Sequence, residues 1–212
     1  MQESKGNMLS ELTVKKYIES TGSDTAVPGG GCAAALCGAL SAALGEMVAN
    51  LTIGRDKYRE IEAEMMMLRD KIRRYKDKLM LDIDRDARAY EKVMFAYQIP
   101  KEAAYEDVRN SEIQVALKEA AQVPLEVAND AIQSLFLIEK VVKLGNKNAV
   151  TDGIVAALIA RSAALSAMLN VRVNLDAIHD MAFKERIEDD MEELEKKSIK
   201  KESDILAWYK SA

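Results

Sequence analysis

Pro28-Gly29-Gly30-Gly31-Cys32 runs directly into Ala33 to Ala49, a glycine turn opening an apolar helix with almost no side-chain bulk. Steps of four and three along that helix pick out Ala34, Gly38, Ala42, Gly45 and Ala49, a stripe of small residues on one face. Glycine inside a helix costs ~1 kcal/mol relative to alanine, so Gly38 and Gly45 need a cause. Either another helix packs very close, or a flat ligand lies along the stripe. The glycines ahead of the helix leave backbone N–H groups free to meet an anion or a carbonyl at a helix N-terminus.

The rest of the chain reads as helix. Ser10 to about Ser20 forms an opening helix with Leu12, Tyr17 and Ile18 as its apolar side, and the small-residue helix extends to about Thr52. From Tyr58 to Pro100, Ile61, Met65, Leu68, Ile72, Tyr75, Leu79 and Ile83, then Tyr90, Met94 and Tyr97, form a heptad-like seam. A second long helix starts near Glu102 or Ala103 and reaches Leu144, with a kink expected at Pro124. Val150 to Leu175 carries a second small stripe, Ala156, Ala160, Ala163 and Ala167, expected to face the first stripe or a shared cavity. The last helix, Asp180 to Lys210, is highly charged, with Ile187, Met191, Leu194, Ile205 and Trp208 as its apolar line. The reading is one all-α domain over residues 1–212, a long-helix up-and-down bundle. The length of the Tyr58–Pro100 helix suggests a bundle shared between subunits.

Three prolines, ten glycines and 49% hydrophobic residues in 212 agree with long helices. The formal net charge of −5 argues against nucleic acid or an anionic membrane surface as a partner. Cys32 to Ala49 has the apolarity of a membrane span but is short and carries Glu46, so it reads as a buried helix of a soluble protein. Met1 to Ser10 is polar and does not read as a secretory signal. Cys32 and Cys37 match no zinc spacing and are too far around the helix to bridge, which leaves reduced thiols and a cytoplasmic protein.

His179 is the single histidine, so a multi-histidine metal site is excluded, and the residue reads as a cap or surface group. Acid–base work falls to carboxylates, lysines, tyrosines or a thiol. In Asp82-Ile83-Asp84-Arg85-Asp86-Ala87-Arg88-Ala89-Tyr90, Asp86 and Tyr90 share a helix face, and Tyr90 continues the apolar seam. Asp86 thus points partly inward, or else is exposed and paired with Arg85 or Arg88. In Gly145-Asn146-Lys147-Asn148-Ala149-Val150-Thr151-Asp152-Gly153, Asp152 falls in the first turn of a helix, where the dipole favours an acid with or without catalysis. Asn170 and Asn174 stand four apart among valines, and buried amides require partners in backbone or ligand.

Taken in order, PGGG with its small-residue helix, DARAY, IPK, VPL, GNKNAVTD and NVRVNL resemble the formiminotetrahydrofolate cyclodeaminase family, over roughly Leu12 to Ala182. Some members of that family act as methenyltetrahydrofolate cyclohydrolases. The resemblance implies an all-helical homodimer, a tetrahydrofolate derivative as substrate, and no metal or redox cofactor. It implies catalytic roles for Asp86 and Asp152, with Tyr90 and Lys101 as proton donors. Gly29, Gly30, Gly31 and Cys32 would lie against the folate or its glutamate tail, and Asn146, Asn170 and Asn174 would read the pterin edge. Cys32 stands where family members often carry serine. The expected reaction is closure of 5-formiminotetrahydrofolate to 5,10-methenyltetrahydrofolate with release of ammonia. Hydrolysis of the methenyl compound to 10-formyltetrahydrofolate and a non-catalytic folate-binding or dimerisation module are the alternatives.

Overall fold

Thr13 accepts a hydrogen bond from the Lys16 N–H and starts the first α-helix at Val14, later than the composition of the segment suggests. The structure is a computed structural model describing residues 8–211; the polar opening of the chain, residues 1–7, lies outside the described residues. Six α-helices follow one another: α1 (Val14–Thr21), α2 (Gly30–Asn50), α3 (Glu62–Gln98), α4 (Glu106–Leu144), α5 (Val150–Leu175) and α6 (Met181–Ser211). Leu9–Glu11 forms only a 3-10 turn, and of the expected apolar side of α1 only Tyr17 is buried, while Ile18 is exposed.

Successive long helices run antiparallel. Gly31 meets Asp86 and Gly45 meets Ile72, Lys92 pairs with Glu119 and Lys78 with Asp130, and Gly153 meets Val142 while Asn174 reaches Ala120. α2 lies in the middle, packed on α3, α4 and α5, with α6 closing against α4 and α5. The Gly30–Asn50 helix is long and apolar enough to cross a bilayer, yet here it is the core helix. Its one acid, Glu46, accepts from Arg73 Nε at 2.8 Å and Lys76 Nζ at 2.7 Å.

Both small stripes are buried. Ser41 Oγ donates to the Ala156 carbonyl at 2.7 Å, so α2 and α5 do meet there. The glycines, however, serve α3 and α4: a methyl at Gly45 would lie 2.7 Å from Ile138 Cγ1, and one at Gly38 would lie 3.2 Å from Leu79. Close helix packing, with no ligand, accounts for both.

The α3 seam is buried only at its first half. Met65, Leu68, Ile72, Leu79 and Ile83 are in the core, whereas Tyr90, Met94 and Tyr97 are exposed, and Ala89, Val93 and Ala96 take over. A straight helix drifts ~20° per heptad against a 3.5-residue repeat, so five heptads turn such a seam out of the core. α4 continues through Pro124 without a break in its assignment.

Candidate active site

Gly29 has no side chain with which to cap α2, and the first intrahelical bond is from Ala33 N–H to the Gly29 carbonyl. The N–H groups of Gly30, Gly31 and Cys32 therefore precede the helical ladder. Asp86, reaching across from α3, lies against this open end: its carboxylate accepts from Cys32 Sγ at 3.2 Å. The approach is possible because residue 31 is glycine, since a methyl there would sit 2.2 Å from Asp86 Oδ1. Asp86 is thus inward-facing, and Arg85 spends its charge on Asp82 and Glu126 instead.

Burial pushes the Asp86 carboxyl above its usual range, against the Cys32 donor groups that favour its charged form. Burial and the neighbouring carboxylate push the Cys32 thiol up to about 12. Tyr17 lies on the same side: its hydroxyl is buried and has no hydrogen-bond partner among the described residues, and burial, with Cys32 and Asp86 nearby, raises its pKa as well. All three groups favour neutrality, so the floor of the site has a low effective dielectric, and a cation brought to it would be strongly attracted to an ionised Asp86.

Above this floor is a cleft of about 300 Å³. Gly29, Gly30 and Gly31 line it from α2, Asp86 and Tyr90 from α3, and Asn170 and Asn174 from α5. The two asparagines are held by their amide groups. Asn170 Nδ2 donates to the Ser166 carbonyl at 2.9 Å, and Asn174 Nδ2 to the Asn170 carbonyl at 2.9 Å and the Ala120 carbonyl at 3.0 Å. Ala120 stands four residues before Pro124, which has no N–H to return to it. The proline thereby frees a carbonyl that orients Asn174. Among the described residues neither asparagine's side-chain oxygen receives a donor, so both are available to N–H groups of a bound molecule.

Four expected site residues lie elsewhere. Cys32 is beneath the cleft, 1% exposed, and acts through Asp86. Lys101 is exposed in the α3–α4 connection, beyond the end of α3, which is itself ~18 Å past Asp86 at 1.5 Å per residue. Asn146 clasps the far end of α2, donating from Nδ2 to the Leu51 carbonyl and from its backbone to Thr52 Oγ1, both at 2.9 Å. Asp152 is on the first turn of α5, about five turns and ~27 Å from Asn170. Within one chain neither Asn146 nor Asp152 reaches the cleft. Asp82 and Asp84 are structural: Asp82 pairs with Arg85, and Asp84 accepts from Leu9 N–H at 2.6 Å and Ser10 Oγ at 2.5 Å, tying down the start of the chain. His179 is exposed, and its backbone N–H donates to Gln114.

Reading the sequence did not single out Val27, Val93, Ala120 or Val173, which help to line the cleft, nor Tyr17 as part of its floor. Only the burial of a tyrosine on a mostly polar first helix could have pointed to Tyr17. Among the described residues no group of three His, Cys, Asp or Glu side chains is arranged to hold a metal ion.

Comparison with known proteins places the chain in a family. The family model described as formiminotransferase-cyclodeaminase matches residues 13–193. The chain is 39% identical to a methenyltetrahydrofolate cyclohydrolase of Methylorubrum extorquens, over 84% of this chain and 86% of that protein. It is 30% identical to the formimidoyltransferase-cyclodeaminase of Rattus norvegicus, over 84% of this chain but only 33% of that larger protein. The crystal structure of formiminotetrahydrofolate cyclodeaminase from Thermotoga maritima superposes with a TM-score of 0.85 at 30% identity, covering 93% of this chain and 95% of that one. With a family model spanning most of the chain and a full-length structural match, this protein belongs to the formiminotransferase-cyclodeaminase family, as an enzyme of its cyclodeaminase/cyclohydrolase domain.

Proposed function

We propose that this protein is a cytoplasmic, homodimeric methenyltetrahydrofolate cyclohydrolase, a single helical domain that opens the 5,10-methenyl bridge of tetrahydrofolate to give the 10-formyl compound. The observation that carries this reading is the half-buried Asp86 carboxylate at the cleft floor, beside the open N–H groups of the glycine turn. The choice of reaction follows the greater identity to a cyclohydrolase, 39% against 28% to 32% for the cyclodeaminases.

The methenyl substrate is an amidinium cation shared between N5 and N10. Ionised Asp86 in its low-dielectric setting holds that cation, and the cation in turn draws the raised carboxyl pKa back down. Water bonds to the bridging carbon as the C–N π pair withdraws to nitrogen, and one water proton is lost to a base. The C–N5 bond of the tetrahedral carbon then breaks, N5 leaves as an amine carrying a proton, and the remaining hydroxyl becomes the formyl carbonyl with loss of its own proton. The side-chain oxygens of Asn170 and Asn174 accept from the pterin N–H edge, and Tyr90 at the rim is positioned to relay a proton. Asp152, expected as the second carboxylate, stands with Lys101 and Asn146 too far along one chain to touch the reacting carbon.

Cyclodeamination of 5-formiminotetrahydrofolate is the second reading, favoured by the full-length match to the Thermotoga maritima structure. It passes through the same tetrahedral carbon with an amino group in place of the hydroxyl. Purified protein is incubated with each folate while methenyl absorbance and ammonia are followed. Rapid loss of methenyl absorbance, with no ammonia from the formimino substrate, supports the first reading; ammonia release accompanied by rising methenyl absorbance replaces it with the second.

A further inference from the structure

Beside the cleft, on the outer side of α3, lies a second hollow of about 450 Å³. Tyr90, Met94 and Phe95 line it from that helix, and Ala26 and Val27 wall it from the connection ahead of α2. Along α3 it runs from Tyr90 to Gln98, ~12 Å. All three of its large apolar side chains are exposed, Phe95 at 67%. The drift that carries Tyr90 and Met94 out of the core therefore does not scatter them over the surface; it gathers them with Phe95 in a concave, partly aromatic site of the kind that holds a ligand.

The hollow is continuous with the cleft. Ala26, Val27 and Tyr90 belong to both, so Tyr90 stands at their junction. Asp86 is four residues before Tyr90 and nine before Phe95, ~6 Å and ~14 Å along α3. At about 300 Å³ the cleft alone is at the bottom of the range for sites that enclose a drug-sized molecule, and the two hollows together fall well inside it. Methenyltetrahydrofolate has three parts: a pterin with its amidinium bridge, an aryl ring bonded to N10, and a glutamate. Asp86, Asn170 and Asn174 account for the first part, which leaves the ring to be placed. Its direct bond to N10 puts it beside the reacting carbon wherever the amidinium is held. Charge then separates ring from tail. Glu91, the one charged residue lining the hollow, admits a neutral ring and repels the glutamate carboxylates, which project outward past Gln98.

We infer that the hollow on α3 is the subsite for the p-aminobenzoyl ring of the folate, with Phe95 and Met94 as its binding surface and Tyr90 dividing it from the pterin. The inference rests on the folate reading above and extends it: preference for a folate over a free pterin becomes a property of this stretch of α3. An aromatic ring gains from Phe95 and Tyr90 by stacking or edge contact, and the flexible Met94 thioether adapts to its face. Gln98, at the end away from the cleft, offers a side-chain amide to the linkage between ring and glutamate.

The test compares two substrates, so that any loss of folded protein cancels. One is 5,10-methenyltetrahydrofolate; the other is the same methenyl-bridged tetrahydropterin with a methyl group on N10 and no p-aminobenzoylglutamate. Their intrinsic reactivities differ, but that difference is common to every variant. The ratio of kcat/KM, full substrate over truncated, should fall ~10-fold in Phe95→Ala, through KM of the full substrate, and several-fold in Met94→Ala. Phe95→Tyr keeps the ring and should restore the ratio. A ratio that does not move in Phe95→Ala overturns the subsite, and a change of assembly state in its place makes the hollow a contact between copies. Equilibrium binding of tetrahydrofolate against tetrahydropterin needs no turnover. The preference for the folate should shrink ~10-fold in Phe95→Ala, and an undiminished preference also overturns the subsite. Failure of the unsubstituted protein to turn over either methenyltetrahydrofolate or 5-formiminotetrahydrofolate refutes the functional reading instead, and the binding comparison still decides the subsite.

Discussion

Gly31→Ala separates the contribution of this glycine to the site from its contribution to the helix. By intrinsic propensity the substitution in α2 should be stabilising, by up to ~1 kcal/mol. The geometry says the opposite. The new methyl would lie 2.2 Å from Asp86 Oδ1, where real Cβ contacts begin at 3.0 Å. Either the carboxylate or the start of α2 must retreat by about 0.8 Å, and a misplacement of that order can cost ~100-fold in rate. Retreat also loosens the Cys32 Sγ hydrogen bond to Asp86, a cost of about 1 kcal/mol that cancels the propensity gain. Gly38→Ala is the internal control. There the methyl meets only the end of the Leu79 side chain, at 3.2 Å, far from the cleft. Turnover should follow methenyl absorbance down ~100-fold in Gly31→Ala and stay within twofold of normal in Gly38→Ala, with both proteins melting as folded helices by circular dichroism. If Gly31→Ala retains full turnover, Asp86 is not positioned by this contact, and the site assembled around it is refuted.

Asp86→Asn should lose ~100-fold in turnover yet melt higher than the unsubstituted protein as pH rises. Because the folded-state pKa is raised, stability from this group is complete below the ordinary carboxylate value and is lost as pH rises towards the raised one, so the difference in Tm should grow across that window and then level off. Cys32→Ser keeps a donor to Asp86 and should hold turnover within a few-fold, whereas Cys32→Ala should lower it about tenfold and shift the acid limb of the rate profile. Pro124→Ala returns an N–H to the Ala120 carbonyl, loosening Asn174; KM should rise a few-fold with little change in kcat, and the effect should be non-additive with Asn174→Ala. Glu46→Gln should cost about 1 kcal/mol at neutral pH. Although burial alone would raise its pKa, Lys76 and Arg73 hold the Glu46 carboxyl below its usual range, so this cost should vanish in melts as pH falls through that lowered value.

Reading the residues in order located the helices well, because each long helix must bury a stripe and the stripe repeats in the sequence. The small residues of α2 and the amide pair of α5 were legible for that reason, whereas spacing alone left Asp86 open between an inward and an exposed position. Periodicity failed where its assumption failed. Tyr90, Met94 and Tyr97 keep the spacing of the α3 seam, but a straight helix carries that spacing around to solvent, and there Tyr90 meets the cleft rim. Val14 replaced Ser10 as a helix start because Asp84, distant in sequence, holds Leu9 and Ser10 in a tight turn.

What periodicity cannot register is which end of a stripe a residue occupies. Asn170 and Asp152 share one line on α5, so any argument from faces places them together, yet a helix converts eighteen residues into ~27 Å. The same holds for Asn146, whose polarity is spent holding the far end of α2 to the α4–α5 turn. An antiparallel bundle of helices this long therefore has two chemically distinct ends, and a site needing groups from both must either fold the chain back or pair two chains head to tail. α2 and α5 already run in opposite directions within one subunit without bringing those ends together. The ~27 Å between Asn170, beside Asp86, and Asp152 is therefore fixed by helix length alone, and no choice of faces shortens it.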